Sequence, residues 1–427
     1  MDTAKVAVIG FGTIGSGVAK LLLEQGDRIS RRVGKRVELV HVVDPDTKRP
    51  RNFALPPGVL TADLADVTDN PEIVAAVELV GGLEPARTIV LKLLESGKDV
   101  VTANKALLAE HGPELFDAAR RLGRSIAFEA AVAGGIPIIA SIAESLMANQ
   151  IESVHGILNG TSNFILSQME EQNTDYATAL AEAQQRGYAE ANPAMDVNGS
   201  DAAQKLAILA HLAFGARVNW RNIPRTGIDI VDVADMRYAK ELGYSIKLLA
   251  VAELVPEGLE LHVSPTLVRH GTTLSEVRGA YNAVRVEGDA AGSILLHGRG
   301  AGDLPTGSAV LADIMALSRT GMTPNNTGFV TEPLPDADVL DLDDAVCPHY
   351  IHFTVKDQPG VMAAISKSMG VHGVSIRQAV QKGEPEDGYV PIVFLTHEAP
   401  ERAIRGVLDD AADMAFIKPG TVHFRVL

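Results

Sequence analysis

The sequence predicts an α/β protein built in three parts: a doubly wound parallel sheet, an α+β unit with a mostly antiparallel sheet, and a small ferredoxin-like βαββαβ unit. Three observations predict it. Short apolar strands alternate with helices over roughly the first 130 residues, the pattern of a parallel sheet covered on both faces. A glycine-rich turn, Gly10-x-Gly12-x-x-Gly15, joins the first strand to the first helix. Beyond residue 350 the order is strand, helix, strand, strand, helix, strand.

Each element has a local reason. Residues 5–9 (KVAVI) form a short apolar run suited to a buried parallel strand. The helix after the glycines sets Val18, Leu21 and Leu22 on one side. Residues 37–43 (VELVHVV) are a second strand ending at Asp44, delayed by an insertion over 26–36. A third strand at 76–80 closes on Gly81-Gly82, and 88–95 is helical. A fourth strand at 99–102 ends in Ala103-Asn104-Lys105. The helix at 113–122 has Pro113 near its first turn, and 125–129 is a fifth strand.

The pattern then changes. Residues 136–147 read as a long helix and 151–158 as a strand ending in the turn Asn159–Asn163. Helices follow at 164–172 and 176–187, and another at 201–214 with Ser200 as its N-cap. Four strands between 245 and 296 make the α+β unit, closed by Gly298–Gly302 and a helix at 306–318. Residues 324–344 are rich in Pro, Asn, Asp and Gly without hydrophobic periodicity, which marks a linker. The expected domains are therefore 1–135, 136–327, a linker over 328–348, and 349–427. The last helix of the second, about 305–320, is a candidate to return to the first.

Composition excludes several functions. A net charge of −16 and the lack of a basic stripe with aromatics argue against nucleic acid as a partner. The longest charge-free apolar run, 130–143, is interrupted by glycines and a proline and is shorter than the roughly 18 residues of a membrane span. The opening MDTAKVAVIG has no basic region before a long apolar core, so the expectation is a cytoplasmic protein without a secretory signal. A single cysteine, Cys347, excludes an internal disulfide and multi-cysteine metal sites. His349 and His352, three apart on a strand, point to opposite faces and are not expected to share a metal.

The chemistry concentrates in a few segments. Gly10, Gly12 and Gly15, with Phe11, Thr13 and Ile14 between them, stand where a Rossmann-type fold holds a dinucleotide: the backbone approaches the pyrophosphate and the helix end offers N–H groups. Asp44 at the end of the second strand would hold a ribose 2′-hydroxyl and favour NAD. Lys48, Arg49 and Arg51 could hold a 2′-phosphate and favour NADP. The residues leave that choice open. Gly82 and Lys105 follow strand ends that face the ligand crevice. Asp201 and Lys205, four apart, share a helix face. A carboxylate there fixes the ammonium, which can stabilise a developing alkoxide and give up a proton. The plain alternative is a surface ion pair worth under about 1 kcal/mol. However, Leu206, Ile208, Leu209, Leu212 and Phe214 make the helix apolar, and ionisable groups on a buried helix are more often functional. Glu190 and Asp196 in the preceding loop could hold a substrate ammonium.

The stretch 183–205, with Ala183, Gly187-Tyr-Ala, Asn192-Pro193, Asp196, Gly199, Asp201 and Lys205, resembles the signature of homoserine dehydrogenases. So do GFGTIG, VVTANK, FEAAVAGGIPII, NGTSN and GRGAGDLPTGSAV. The likeness covers about residues 4–330. The segment Asp357-Gln-Pro359-Gly360-Val361 resembles the ligand loop of an ACT domain. The resemblance implies NAD(P)-dependent interconversion of L-aspartate 4-semialdehyde and L-homoserine, on the route to threonine, methionine and isoleucine. It implies Lys205 as proton donor, Lys105 assisting at the same carbonyl beside the nicotinamide, and Glu190, Asp196 and Asp201 around the substrate. It implies a monovalent cation, usually sodium, on the Glu129 carboxylate and the carbonyls of Val132, Gly134 and Ile136. Gly302 and the Asn159–Asn163 turn map onto coenzyme-contacting loops. The ACT-like unit implies feedback by an amino acid, threonine first, and the family implies a homodimer or homotetramer. No fused aspartate kinase is expected, since nothing precedes the first strand. Two rival readings are another Rossmann oxidoreductase acting on a small amino-acid-derived carbonyl, and an amino-acid-sensing binding protein.

Overall fold

The computed structural model describes residues 2–51, 53–215, 217–319 and 338–427. The expected boundary at 327/328 and the part of the expected linker over 328–337 lie outside the described residues. By proximity the chain divides into two compact units. The first holds 1–154, 204–222 and 282–337, and the second 155–203, 223–281 and 338–427.

The first unit contains a six-stranded sheet of β1 (Thr3–Ile9), β2 (Arg36–Val43), β3 (Leu60–Thr61), β4 (Ile73–Glu78), β5 (Asp99–Thr102) and β6 (Ile126–Ala127), in the order β3-β2-β1-β4-β5-β6. Neighbouring strands are all parallel. Val6, Val8, Val77 and Val101 are fully buried, as a sheet covered on both faces requires. The strand order reverses between β1 and β4, which opens a crevice at their carboxyl ends. Ala309, Val310, Leu311 and Ile314 of the helix Asp303–Ser318 join the same core as Val18 and Leu22 of the helix Thr13–Glu24.

Several expectations shift in detail. The third expected strand begins earlier and ends at Glu78, leaving Leu79 and Val80 in a turn. The 26–36 insertion folds as the helix Gly26–Val33. The long helix expected at 136–147 is a single turn, Ile138–Ala140, followed by a wider turn over Ser141–Ser145. Ser141 Oγ donates back to Pro137 O at 2.6 Å and Leu146 N donates to Ser141 O at 2.8 Å. Both bonds draw the backbone away from α-helical pairing. The helix starting at Ser200 takes in the residue expected as its cap.

β7 (Ile151–Ile157) spans the division between the units. The second unit contains the hairpin β8 (Tyr244–Val255) and β9 (Gly258–Arg269), paired antiparallel along its whole length. β10 (Tyr281–Gly288) and β11 (Gly292–Arg299) are sheet neighbours. A helix absent from the expectations, Val233–Leu242, is capped by Asp232, whose side chain accepts from Ala234 N. Its charged residues Asp235, Arg237, Lys240 and Glu241 mask the hydrophobic period.

The C-terminal stretch has the expected βαββαβ order. A short β12 (Val346–Cys347) precedes β13 (His349–Lys356), the helix Val361–Val371, β14 (Ile376–Gln381), β15 (Tyr389–Thr396), β16 (Ala399–Pro400), the helix Glu401–Ala412 and β17 (Val422–Val426). β13 pairs antiparallel with β15 and β17, and β15 with β14. Ile351, Phe353, Ile365, Phe394, Ile404 and Val407 make its core. β17 also pairs in parallel with β9, through Arg425↔Thr266 and Val426↔Leu267. The C-terminal strands thus extend the β8–β9 sheet. Leading into them, Val339 bridges Leu259, and Val346 and Cys347 pair with Pro400 and Ala399. His349 lies against His423, with Nδ1 and Nε2 3.0 Å apart. His352 Nδ1 lies 2.7 Å from Asp235 Oδ1. Among the described residues no helix is long and apolar enough to cross a membrane.

Candidate active site

The glycine turn is built for close approach. Gly10 has φ +99°, and a Cβ at Gly15 would stand 2.0 Å from Gly10 O. Only glycine lets the helix Thr13–Glu24 start this close to the strand. At Gly12 an added Cβ would meet no described atom within 4 Å, so the space before the helix is open. No side chain among the described residues caps that helix, and its first turn carries no acid. Its first N–H groups therefore suit a phosphate, and the residues present fit a dinucleotide.

Asp44 is more engaged than its position suggests. Its Oδ2 accepts from Phe11 N at 2.9 Å and its Oδ1 from Asp46 N at 2.9 Å. Arg51 Nη2 is 3.1 Å from Oδ1, and its guanidinium lies over the Phe11 ring. Arg51 thus neutralises Asp44, while Lys48 and Arg49 are exposed beside it.

Lys105 is the first residue of the helix Lys105–Leu122. Asn104 caps that helix: its Oδ1 accepts from Leu107 N at 3.1 Å, and its Nδ2 donates to Gly82 O at 2.7 Å. The Asn104 side chain therefore ties Gly82 to the first turn of the helix that begins at Lys105. Lys205 also belongs to this first unit, whereas Asp201, one turn earlier on the helix Ser200–Phe214, belongs to the second.

The Glu129 side chain is buried, 6% exposed. Glu129 Oε1 accepts from Ile139 N at 2.8 Å and Oε2 from Ala140 N at 2.9 Å. Burial pushes its carboxyl above the ordinary range, against the pull of these N–H donors. Glu129 N donates to Asp313 Oδ2 at 2.9 Å, and burial raises Asp313 well above the usual carboxylate range. Gly134 has φ +55°, and a Cβ there would stand 2.5 Å from Gly300 O. Glu129, Val132, Gly134 and Ile136 offer a carboxylate and main-chain oxygens, a donor set suited to a hard cation. Gly302, at φ +122°, precedes the helix Asp303–Ser318.

In the second unit Asp196 and Asp201 converge on Asn159, which the sequence placed in a turn expected to contact the coenzyme. Asn159 Nδ2 donates to Asp196 Oδ1 and to Asp201 Oδ2, each at 2.8 Å. Asn159 Oδ1 accepts from Ser162 N, capping the helix Gly160–Gln172, and Ser162 Oγ donates to Asp196 O at 2.8 Å. Asp201 is 4% exposed and Asn159 5%. A buried and a half-buried carboxylate on one amide make a preorganised acidic pair. Asn163 takes another role: its Nδ2 donates to the carbonyls of Val277, Gly279 and Tyr281. Glu190 is exposed, and its carbonyl accepts from Gln184 Nε2. The signal that could have found Asn159 was its place directly after a strand, where a side-chain amide both caps a helix and reaches the next loop.

Comparison with known proteins covers the whole chain. A family model described as "Homoserine dehydrogenase, NAD binding domain" matches residues 10–129, and one described as "Homoserine dehydrogenase" matches residues 137–315. A homoserine dehydrogenase of Pseudomonas aeruginosa is 42% identical, the match spanning 100% of this chain and 99% of that one. One of Bacillus subtilis is 36% identical, over 100% of this chain and 99% of its own. The crystal structure of a homoserine dehydrogenase from Thiobacillus denitrificans superposes with a TM-score of 0.92 at 39% identity, covering 100% of this chain and 98% of that chain.

Proposed function

The chain belongs to the homoserine dehydrogenase family, a nicotinamide-dependent oxidoreductase acting on a small molecule, and from that premise we propose which of its residues carry the reaction. Lys205 donates the proton to the aldehyde oxygen of L-aspartate 4-semialdehyde, and in the reverse direction takes it from L-homoserine. Lys105 steadies the same oxygen. Glu190, Asp196 and Asp201 receive the substrate's ammonium side. The coenzyme, when bound, supplies or takes the hydride. Asp201, one helical turn from Lys205, keeps that ammonium directed. Oxidation of homoserine releases a proton and is therefore favoured at alkaline pH. The observation that carries this reading is the Asn159 bridge, which holds Asp196 and Asp201 on one amide, with Asp201 in the first turn of the helix Ser200–Phe214.

The coenzyme contacts are Gly10, Phe11, Gly12, Thr13, Ile14, Gly15, Asp44, Arg49, Gly82, Lys105 and Gly302. Because Arg51 neutralises Asp44 and leaves Lys48 and Arg49 exposed, the 2′-phosphate of NADP is accepted without repulsion. NADPH is therefore the preferred coenzyme. Glu129, Val132, Gly134 and Ile136 hold a sodium ion. The C-terminal βαββαβ unit is an ACT-type regulatory module that takes threonine at the Asp357–Gly360 loop, and the enzyme works as a homodimer or homotetramer.

Following loss of reduced coenzyme in the presence of aspartate semialdehyde tests the reading, with NADPH against NADH and sodium against choline. Lys205→Ala with near-normal turnover would sink the mechanism. Threonine inhibition that is equal in the full chain and in Asp357→Ala would sink the regulatory part.

A further inference from the structure

The strands β4 and β5 end side by side, and each leads into a loop of the proposed coenzyme site. Their last residues, Glu78 and Thr102, are Cα partners in the parallel ladder. Both are 0% exposed. A glutamate at the end of a buried strand carries a desolvation cost unless its oxygens are used. Here both are. Oε1 accepts from Val80 N at 2.8 Å and from Gly81 N at 3.2 Å, and Oε2 accepts from the Thr102 hydroxyl at 2.7 Å. The Thr102 oxygen in turn accepts from Asn104 N at 3.0 Å. Asn104 closes the circuit by donating from Nδ2 to Gly82 O at 2.7 Å.

The result is a ring of hydrogen bonds that starts and ends at one carboxylate. One arm folds the 80–82 turn, and the other fixes the backbone from which Lys105 emerges. Its direction follows from chemistry. A carboxylate only accepts, so the single hydroxyl proton of Thr102 points to it, which leaves the Thr102 oxygen to receive Asn104 N–H. A glutamine could not reproduce this pattern: with its oxygen on the two backbone N–H groups, its NH2 group would donate to the Thr102 oxygen, and the hydroxyl proton would lose its acceptor.

We propose that Glu78 is a positioning residue for hydride transfer, holding the Gly82 turn and the base of Lys105 in one arrangement toward the nicotinamide ring. The inference rests on the reading that Gly82 and Lys105 border that ring. It extends it by assigning a buried residue that touches neither substrate nor coenzyme. Displacements of about 1 Å at a reacting centre can cost on the order of 100-fold in rate, so a circuit of this kind bears on turnover and not only on stability.

The test uses the full chain and three variants, Glu78→Gln, Thr102→Val and Thr102→Ser, with circular dichroism to establish folding. Glu78→Gln should raise KM for the reduced coenzyme and lower kcat, each by about 10-fold or more, and leave KM for the aldehyde near normal. The primary deuterium isotope effect on turnover with 4-deuterated coenzyme should rise, as misalignment makes hydride transfer more limiting. Thr102→Val should share these effects, and Thr102→Ser, which keeps the hydroxyl, should restore them. A purely structural role would lower the unfolding midpoint and leave coenzyme KM and the isotope effect alone. Folded Glu78→Gln and Thr102→Val enzymes with wild-type kinetics overturn the proposal. If Glu78→Gln fails to fold, the threonine pair decides: valine impaired with serine normal supports it, and both normal overturns it. A Lys105→Met enzyme of normal rate would instead sink the reading of Lys105, a separate result on a separate variant.

Discussion

Asn159 Nδ2 lies 2.8 Å from Asp201 Oδ2, and the same nitrogen serves Asp196 Oδ1. One amide with two protons thereby separates and orients two carboxylates that would otherwise repel. Replacing it should damage substrate handling more than coenzyme binding. Asn159→Leu leaves both acids without their shared donor, and Asn159→Asp places a third carboxylate among them. Either should lower kcat/KM for aspartate semialdehyde by roughly 10- to 100-fold, the aspartate variant more, with KM for NADPH little changed. Steady-state kinetics varying each substrate in turn check this. A uniform loss in both would show that the residue only supports the fold.

Lys205→Ala should cost about 100-fold or more in turnover, the scale of losing a general acid. If Lys205 moves the proton, exogenous small amines should restore part of the lost rate in a concentration-dependent way. The measurement is initial rate against amine concentration at fixed pH. No recovery together with a normal pH profile would remove the lysine from proton transfer.

The two glycines of the nucleotide turn should separate stability from binding. At Gly15 an added methyl would meet Gly10 O at 2.0 Å, backbone against backbone, so Gly15→Ala must push the helix off the strand. A lower unfolding midpoint and poor coenzyme binding should appear together. At Gly12 the methyl enters open space. Gly12→Ala should keep its unfolding midpoint within a degree or two and yet weaken coenzyme binding, since the methyl occupies the approach to the pyrophosphate. Fluorescence titration of NADPH beside thermal unfolding distinguishes the pair.

Much of this was legible in the sequence because the signals were local. The strand–glycine–helix turn, the apolar strands β1, β2 and β5, and the C-terminal βαββαβ order each follow from period and punctuation within about ten residues. Glu78, and the bridging role of Asn159, were not legible. Their partners Thr102, Asp196 and Asp201 lie 24 to 42 residues away in sequence. Only folding reveals that a glutamate at a strand end closes a ring through the neighbouring strand. The helix Val233–Leu242 escaped because four of its ten residues are charged, and the pairing of β17 with β9 because strand partners 159 residues apart leave no local trace.

The last prediction concerns acid. His349 is 0% exposed, and burial pulls its imidazole down to about 4. His423 beside it is pulled down to about 3 by burial first and then by the charges of His349 and Arg425. A base whose folded value lies below its unfolded value of about 6.5 binds fewer protons in the folded state, so stability rises with pH across the interval between the two. At pH 7 both rings are neutral in the folded chain and about three-quarters neutral in the unfolded one, so little is lost. Acidification from pH 6.5 toward 4 charges them in the unfolded chain first, which should remove a few kcal/mol, roughly, from the C-terminal unit. Glu401, facing both rings, acts in the opposite sense: burial raises its carboxyl, so the folded state gains a proton earlier on acidification and offsets part of the loss. Two histidines outweigh one glutamate, so the net slope keeps its sign. His423→Gln, which cannot titrate, should flatten it. Urea unfolding of wild type and variant at pH 7 and pH 4.5 measures the difference, with other acids common to both proteins cancelling. Equal losses in the two would mean that these imidazoles titrate alike in the folded and unfolded chains.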